Sequence, residues 1–176
     1  MKRVAVFGNA GAGKSTLSKR LAQVTGLPLI ALDLLQYDAG GKAVSHEAFK
    51  AAHDQVLQQE SWIVDGFGSL DTVWVRLDAA DTLVYVDMPL LQHYWWVTKR
   101  FLKGAFVLPE GWPKGSSILQ GTLQSYRTVG LCHQKLTPRY RDYVREAQGT
   151  KQVYHLRSTQ EIKAFHQAIA RQFSQI

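Results

Sequence analysis

The chain is poor in cysteine, because Cys132 is the only one among its 176 residues. An intramolecular disulfide and a cluster of thiolate metal ligands are therefore both excluded. His133 follows directly, but side chains adjacent in sequence do not face each other on a helix, which argues against a Cys–His nucleophile. We interpret Cys132 as a plain structural cysteine, since buried free thiols are common.

Long apolar runs are also missing, and none approaches the roughly 18 residues that a membrane span needs. The N-terminus carries two positive charges before a short apolar run, residues 4–7. That run is too short for the apolar region of a signal peptide, and it leads straight into a glycine-rich segment. We therefore predict a buried strand here, no membrane partner, and a cytoplasmic protein.

No block of five or six basic residues occurs, although the net charge is +7 from 21 basic and 14 acidic residues. The missing block argues against a disordered nucleic-acid-binding arm. The charge itself suits either an anionic small substrate or a polyanionic partner. Nucleic acid thus stays open as the less favoured partner, and the oligomeric state is not predicted.

Strand-like and helix-like segments alternate along the chain, which is typical of a parallel α/β domain. Strands are predicted at residues 3–7, 29–32, 62–64, 83–86 and 152–156. Helices are predicted at residues 14–25, 46–60 and about 90–103, from 137 onward, and behind a capping box at 158–161. Glycine, proline and serine interrupt this pattern between about 104 and 136, which we interpret as a loop-rich lid insertion. The prediction is a single domain over residues 1–176.

The segment GNAGAGKST matches the phosphate-binding pattern G-x-x-x-x-G-K-[ST], and it lies between a predicted strand and a predicted helix. Backbone N–H groups and the helix N-terminus supply positive partial charge for phosphates. Lys14 is expected to reach the β- and γ-phosphates, and the Ser15 hydroxyl to ligate Mg²⁺. The nucleotide-binding residues predicted here are Gly8, Asn9, Ala10, Gly11, Ala12, Gly13, Lys14, Ser15 and Thr16.

Acidic residues follow three of the predicted strands, where a second Mg²⁺ contact is expected. Asp65 ends the apolar segment WIVDG, and we prefer it for the metal, directly or through water. Asp33 ends LIALD and is a candidate to orient or deprotonate an acceptor hydroxyl or to bind a metal-bound water, with helix capping as the alternative. For Asp87, before Pro89, a structural role is favoured.

Cations surround the predicted lid, and phosphoryl transfer needs cations to stabilise the charge on the equatorial oxygens. We favour Arg100 and Arg127 as catalytic residues, with Arg76 as a weaker candidate for gripping the acceptor. Solvated surface charge is the alternative for each. Trp96 is a candidate to stack on a base, although core packing is the commoner role of such a residue. The guanine-reading motif Asn-Lys-x-Asp is absent, which argues against a GTPase.

At this point the sequence resembles the adenylate kinase superfamily, and more closely the small P-loop adenylate kinase-related or "topology modulation" proteins. The segments that carry the resemblance are FGNAGAGKSTLSKRLA, GLPLIALDLL, WIVDGFGS, ADTLVYVDMPLLQHYWWVTKRF and TPRYRDYVREAQGTKQVYHLRSTQEIKAF. It implies a three-layer α/β P-loop NTPase fold whose five-stranded parallel sheet has the nucleoside-monophosphate-kinase order, with a lid. It also implies ATP and Mg²⁺ as the phosphoryl donor, and it supports Asp65 as the Walker-B-like acid and Asp33 near the acceptor. Arg100 then matches a lid-edge arginine, and Arg127 falls near a catalytic arginine after the lid. Lys14, Asp33, Arg100 and Arg127 are therefore the candidate catalytic residues.

Two departures from that family bear on the acceptor. Adenylate kinases follow their Asp-Gly-Phe with Pro-Arg, and that arginine grips the acceptor phosphate, but here Gly68 and Ser69 follow. Trp96 stands where the family often has an arginine. The first hypothesis is therefore a kinase that transfers the γ-phosphate of ATP to an unidentified small molecule. The second is a nucleotide-binding regulatory protein with weak ATPase activity that contacts nucleic acid.

Overall fold

The computed structural model describes residues 1–38, 42–104 and 118–173. For residues 100, 103–104 and 118–122 it describes the helical backbone only. Within these ranges the strands are β1 (Arg3–Gly8), β2 (Leu29–Ala31), β3 (Trp62–Asp65), β4 (Thr82–Val86) and β5 (Gln152–Leu156). The helices are α1 (Lys14–Thr25), α2 (Leu32–Leu35), α3 (His46–Leu57), α4 (Leu70–Ala79), α5 (Leu90–Gly104), α6 (Ile118–Lys135), α7 (Thr137–Ala147) and α8 (Thr159–Phe173).

The five strands form one sheet in the order β2-β3-β1-β4-β5, and every pairing is parallel. Because the strands run the same way, their carboxyl ends meet at one edge, where ligands bind in open α/β sheets. The predicted five-stranded parallel sheet is confirmed, with strand order included. The residues that end the strands at this edge are Gly8, Ala31, Asp65, Val86 and Leu156.

Helices cover both faces of the sheet, which is why the central strands are apolar along most of their length. Helices α3, α4 and α7 pack on one face, where Trp62 and Val64 of β3 are fully buried. Helices α1 and α8 pack on the other face, which Ile63 of the same strand contacts. Successive residues of β3 therefore pack into the cores on opposite faces of the sheet. This packing fixes the orientation of the strand up to its last residue, Asp65.

Glycines set both ends of α1. Gly13 precedes the helix with φ 75°, and Gly26 follows it with φ 72° while its N–H donates to the carbonyl of Ala22. Both conformations are left-handed, which costs glycine nothing. The predicted bounds of this helix and of β5 are those observed.

Three predictions of local structure are corrected. β2 ends at Ala31, so Asp33 lies in the first turn of α2 instead of directly after the strand. Residues 118–135 form the helix α6, whereas the sequence predicted a loop-rich segment over 104–136. Neither α2 nor α4 was predicted. The remainder of the predicted insertion, residues 105–117, lies outside the described residues.

Hydropathy along the described helices is also informative. None of them is both long enough and apolar enough to cross a membrane.

Candidate active site

The glycine loop starts where β1 ends against β4. Gly8 pairs with Val86 in the sheet and has φ 136°. A Cβ built on Gly8 would lie 2.2 Å from the carbonyl oxygen of Val86, so no other residue fits without moving the backbone. The chain therefore leaves the sheet directly into the loop and turns into α1.

Lys14 folds back over this loop, and its Nζ donates to the carbonyl oxygen of Asn9 at 2.7 Å. Ser15 and Thr16 are exposed in the first turn of α1. Their position at the N-terminus of a 12-residue helix is one that favours anions. The arrangement fits the predicted phosphate cradle, and residues 8–16 remain our proposal for the nucleotide site.

The outer side of the loop contacts α5 and α6. The Nδ1 of His93 lies 2.8 Å from the carbonyl oxygen of Ala10, and the Nδ2 of Asn9 donates to the carbonyl oxygen of Val129 at 3.0 Å. His93 is 1% exposed and Asn9 is 5% exposed. Sequence reasoning missed His93, since the contact spans 83 positions and no local pattern signals it.

Asp65 is the last residue of β3 and is 5% exposed. Within the described part of the chain its Oδ1 has no hydrogen-bond partner. A buried carboxylate oxygen without a partner is uncommon and is often explained by an ion or a water. Carboxylate oxygen is also a preferred Mg²⁺ ligand. The observation fits the predicted metal role of Asp65.

Asp33 lies beside Asp65, because Ala31, two residues earlier, pairs with Asp65 across the sheet. The residue is exposed to the crevice, but the surrounding protein shields its carboxyl group from part of the water. This burial, together with the charge of Asp65, raises the pKa of Asp33, and the charge of Lys14 opposes the shift. Asp33 therefore lies within electrostatic reach of both Asp65 and Lys14.

Gly66 allows this approach. It has φ 117°, and a Cβ built on it would lie 3.1 Å from the Cβ of Leu32 and 3.3 Å from the Oδ1 of Asp33. A side chain at this position would push α2 away from the end of β3. The glycine after Asp65 therefore sets the spacing of the two carboxylates.

Arg76 is not at the surface of this crevice but is fully buried beneath it. Its Nη2 donates to the carbonyl oxygens of Gly66 and Phe67 at 3.1 and 3.3 Å. Its Nε and Nη1 have no hydrogen-bond partner among the described residues. Burial lowers the pKa of Arg76 to about 10, against the opposing effects of Tyr140 and Asp65, so it stays charged at neutral pH. Instead of presenting its guanidinium to an acceptor, Arg76 supports the backbone of the loop after β3.

Asp87 belongs to a separate network at the end of β4. Arg141 donates to both of its carboxylate oxygens, at 2.8 and 3.0 Å, and the Nε2 of His155 lies 2.9 Å from Oδ2. Burial alone would raise the pKa of Asp87, but the bonds from Arg141 and His155 outweigh it and hold the pKa below the ordinary value. This network joins β4, β5 and α7, in agreement with a structural role.

The two predicted lid cations lie on the helices α5 and α6. Arg100 lies on α5, but its side chain is outside the described residues. Arg127 is exposed on α6, two residues before the buried Val129. Trp96 is partly buried against the core on the α1 and α8 face, as a packing residue would be. Among the described residues, no three His, Cys, Asp or Glu side chains form a group that could hold a metal ion.

Comparison with known proteins identifies the fold. No protein-family model and no curated protein matches the sequence. A shikimate kinase from Bacteroides thetaiotaomicron matches with a TM-score of 0.59 at 15% identity, over 98% of this chain and 98% of that chain. A shikimate kinase from Acinetobacter baumannii, in complex with shikimate, matches with 0.57 at 14% identity, over 99% of this chain and 94% of that chain.

The chain shares its fold with these two shikimate kinases, a P-loop fold with a five-stranded parallel sheet. At these identities the likeness establishes architecture, and it agrees with the fold predicted from the glycine loop and the alternation of strands and helices. The comparisons do not confirm the narrower resemblance to the "topology modulation" proteins.

Proposed function

We propose that the protein is a kinase that transfers the γ-phosphoryl group of ATP to a hydroxyl group of a small molecule. One observation carries the proposal: at the carboxyl edge of the sheet, beside the glycine loop, Asp33 lies next to Asp65 and within electrostatic reach of Lys14. A lysine for the phosphates, a carboxylate for a metal and a second carboxylate for the acceptor are the groups that such a transfer needs.

In the proposed reaction, the acceptor hydroxyl oxygen bonds to the γ-phosphorus, the bond to the bridging β–γ oxygen breaks, and ADP leaves. The hydroxyl proton passes to the carboxylate of Asp33, whose raised pKa makes it a better base than an ordinary aspartate. Lys14 positions the phosphates and offsets their negative charge. The Ser15 hydroxyl and Asp65 would hold Mg²⁺, which supplies further neutralisation of the β- and γ-phosphates when bound. Arg100 and Arg127 remain proposed lid residues.

The acceptor side of the crevice is formed by Asp33 and the loop that follows Asp65. Gly68 in this loop has φ 70°, and a Cβ there would lie 3.0 Å from Thr72 Oγ1 and 3.1 Å from Phe49 Cζ. A proline at position 68, as in adenylate kinases, would not fit this backbone. The loop is thus built differently from one that grips a nucleoside monophosphate, which supports another small molecule as the acceptor.

The test is ATP consumption across a panel of hydroxyl acceptors: sugars, hydroxy acids that include shikimate, nucleosides and nucleotides. We expect at least one to raise the rate, and Asp33→Asn to lower that stimulated rate by about 100-fold or more. The matched control is Asp142→Asn, which removes an exposed carboxylate that accepts from Arg145 at 2.8 Å. Tight ATP binding without stimulation by any acceptor would contradict the proposal and favour the regulatory alternative.

A further inference from the structure

At the start of the glycine loop, two successive peptide units each have one group that faces outward and is hydrogen-bonded to a side chain. The carbonyl of Asn9 faces inward and accepts from Lys14 Nζ at 2.7 Å. The N–H of Ala10, on the same peptide, donates to the Oδ1 of Asn9 at 2.7 Å. The carbonyl of Ala10, on the next peptide, accepts from His93 Nδ1 at 2.8 Å.

Because the peptide unit is planar, the contact of the Ala10 carbonyl with His93 also fixes the direction of the Gly11 N–H. The C=O and N–H of one trans peptide point in opposite directions. Since the Ala10 carbonyl is directed at His93 on α5, the N–H of Gly11 points away from α5. We expect phosphate on that side of the loop, near Lys14, whose Nζ donates to the preceding carbonyl, that of Asn9.

Both side chains that make these contacts are themselves fixed. Asn9 bonds the carbonyl of Val129 on α6 as well as the N–H of Ala10. His93 is buried, which lowers its pKa, and its Nδ1 must carry a hydrogen because a carbonyl oxygen only accepts. Gly11 has φ 73°, a conformation that favours glycine, and it lies close to α5, since a Cβ on it would lie 3.4 Å from Val97 Cγ2.

The helices α5 and α6, which both contact the loop, are held together by side-chain contacts. Thr98 of α5 and Tyr126 of α6 are joined by a hydroxyl–hydroxyl hydrogen bond of 2.5 Å, and the rings of Tyr94 and Tyr126 lie 5.6 Å apart. Gly130 leaves room for the Tyr94 hydroxyl, which would lie 3.2 Å from a Cβ there. The loop is therefore attached at two points to a packed helix pair.

We propose that Asn9 and His93 are positioning residues that hold the Gly11 N–H toward the phosphates of the bound nucleotide. This rests on the proposed function only in that the loop binds a nucleoside triphosphate. Neither side chain needs to touch the ligand. Each satisfies an outward backbone group, and so lowers the chance that the peptide turns its inward N–H away.

The experiment measures the affinity of Mg·ATP by calorimetry for His93→Leu, His93→Asn and Asn9→Ala. We expect His93→Leu and Asn9→Ala to weaken binding about tenfold. His93→Asn keeps an N–H donor near the position of Nδ1 and should stay within about threefold of wild type. His166→Leu, a half-buried histidine on α8, is the matched control and should bind like wild type.

A second readout is the ¹⁵N–¹H signal of Gly11, which should shift on addition of Mg·ATP in wild type and much less in His93→Leu. If His93→Leu fails to fold, Asn9→Ala decides the question through the same two measurements. Equal loss in His93→Asn and His93→Leu, or no loss in either His93→Leu or Asn9→Ala, would overturn the positioning role and leave the kinase proposal standing. A wild-type protein that does not bind Mg·ATP would overturn both.

Discussion

The contact of Gly8 with β4 gives a quantitative prediction for Gly8→Ala. The added Cβ would lie 2.2 Å from the carbonyl oxygen of Val86 and 3.0 Å from its carbonyl carbon, and real Cβ atoms do not approach closer than 3.0 Å. Both neighbours are backbone atoms of a central strand, so relief requires that β1 and β4 separate. The comparison variant is Gly26→Ala, where φ is also positive but nothing lies within 4 Å of the new Cβ.

The expected losses in the free energy of unfolding differ for these reasons. Gly26→Ala costs about 1–2 kcal/mol, the left-handed conformation alone. Gly8→Ala carries a strained backbone cost of about 1–3 kcal/mol and a further steric cost of about 1–3 kcal/mol. We expect about 4 kcal/mol for Gly8→Ala, a large part of the stability of an ordinary domain.

Urea unfolding followed by circular dichroism measures both losses. With a slope of about 2 kcal/mol per molar urea, the Gly8→Ala midpoint should fall about 1 M or more below that of Gly26→Ala. Equal midpoints would refute the reasoning, because they would mean that the end of β1 yields easily and does not fix the start of the loop.

Three further substitutions separate charge from packing. Asp33→Asn should leave stability at pH 7 unchanged or higher. The raised pKa of Asp33 means that the fold is stabilised by the protonated carboxyl, and this stabilisation is present below about pH 4 and lost as pH rises through the pKa in the folded protein. A clear fall in the urea midpoint of the variant at pH 7 would contradict this. Asp87→Asn should cost about 1–3 kcal/mol at pH 7, reduced because Arg141 is half exposed. Since the pKa of Asp87 is lowered, this cost should shrink as pH falls below about 4, and urea midpoints that show no such convergence would be evidence against the network. Arg76→Met removes a buried cation, two of whose nitrogens have no hydrogen-bond partner among the described residues, so stability should change by less than about 2 kcal/mol while phosphotransfer falls about tenfold. A large stability loss with an unchanged rate would argue against a role in the loop after β3.

Local sequence signals predicted the sheet, α1 and β5 well, because these elements depend on short-range patterns. The glycines that frame the loop and the apolar run of β3 need no distant partner to be recognised. The position of Asp65 could be predicted in the same way, since any residue that ends a central parallel strand lies at the edge of the sheet where ligands bind.

The positions that the sequence did not predict depend on contacts between distant residues. Residues 118–135 were predicted as part of a loop-rich segment because of the glycines, proline and serines at 104–117, yet they form α6, in which Gly130 allows close packing against Tyr94. Arg76 could be recognised as a cation but not as a buried one, because its partners are the carbonyls of the loop 9–10 positions earlier. His93 gave no signal because its partner lies 83 residues away.

The most direct test of the central claim is transfer of the γ-phosphoryl group of ATP to an acceptor from the panel, detected by mass spectrometry of the phosphorylated product. The account predicts product with wild type and with Lys19→Ala, an exposed lysine on the same helix, and none above background with Lys14→Ala. Product formation by Lys14→Ala at the wild-type rate, or no product from wild type with any acceptor, would contradict it.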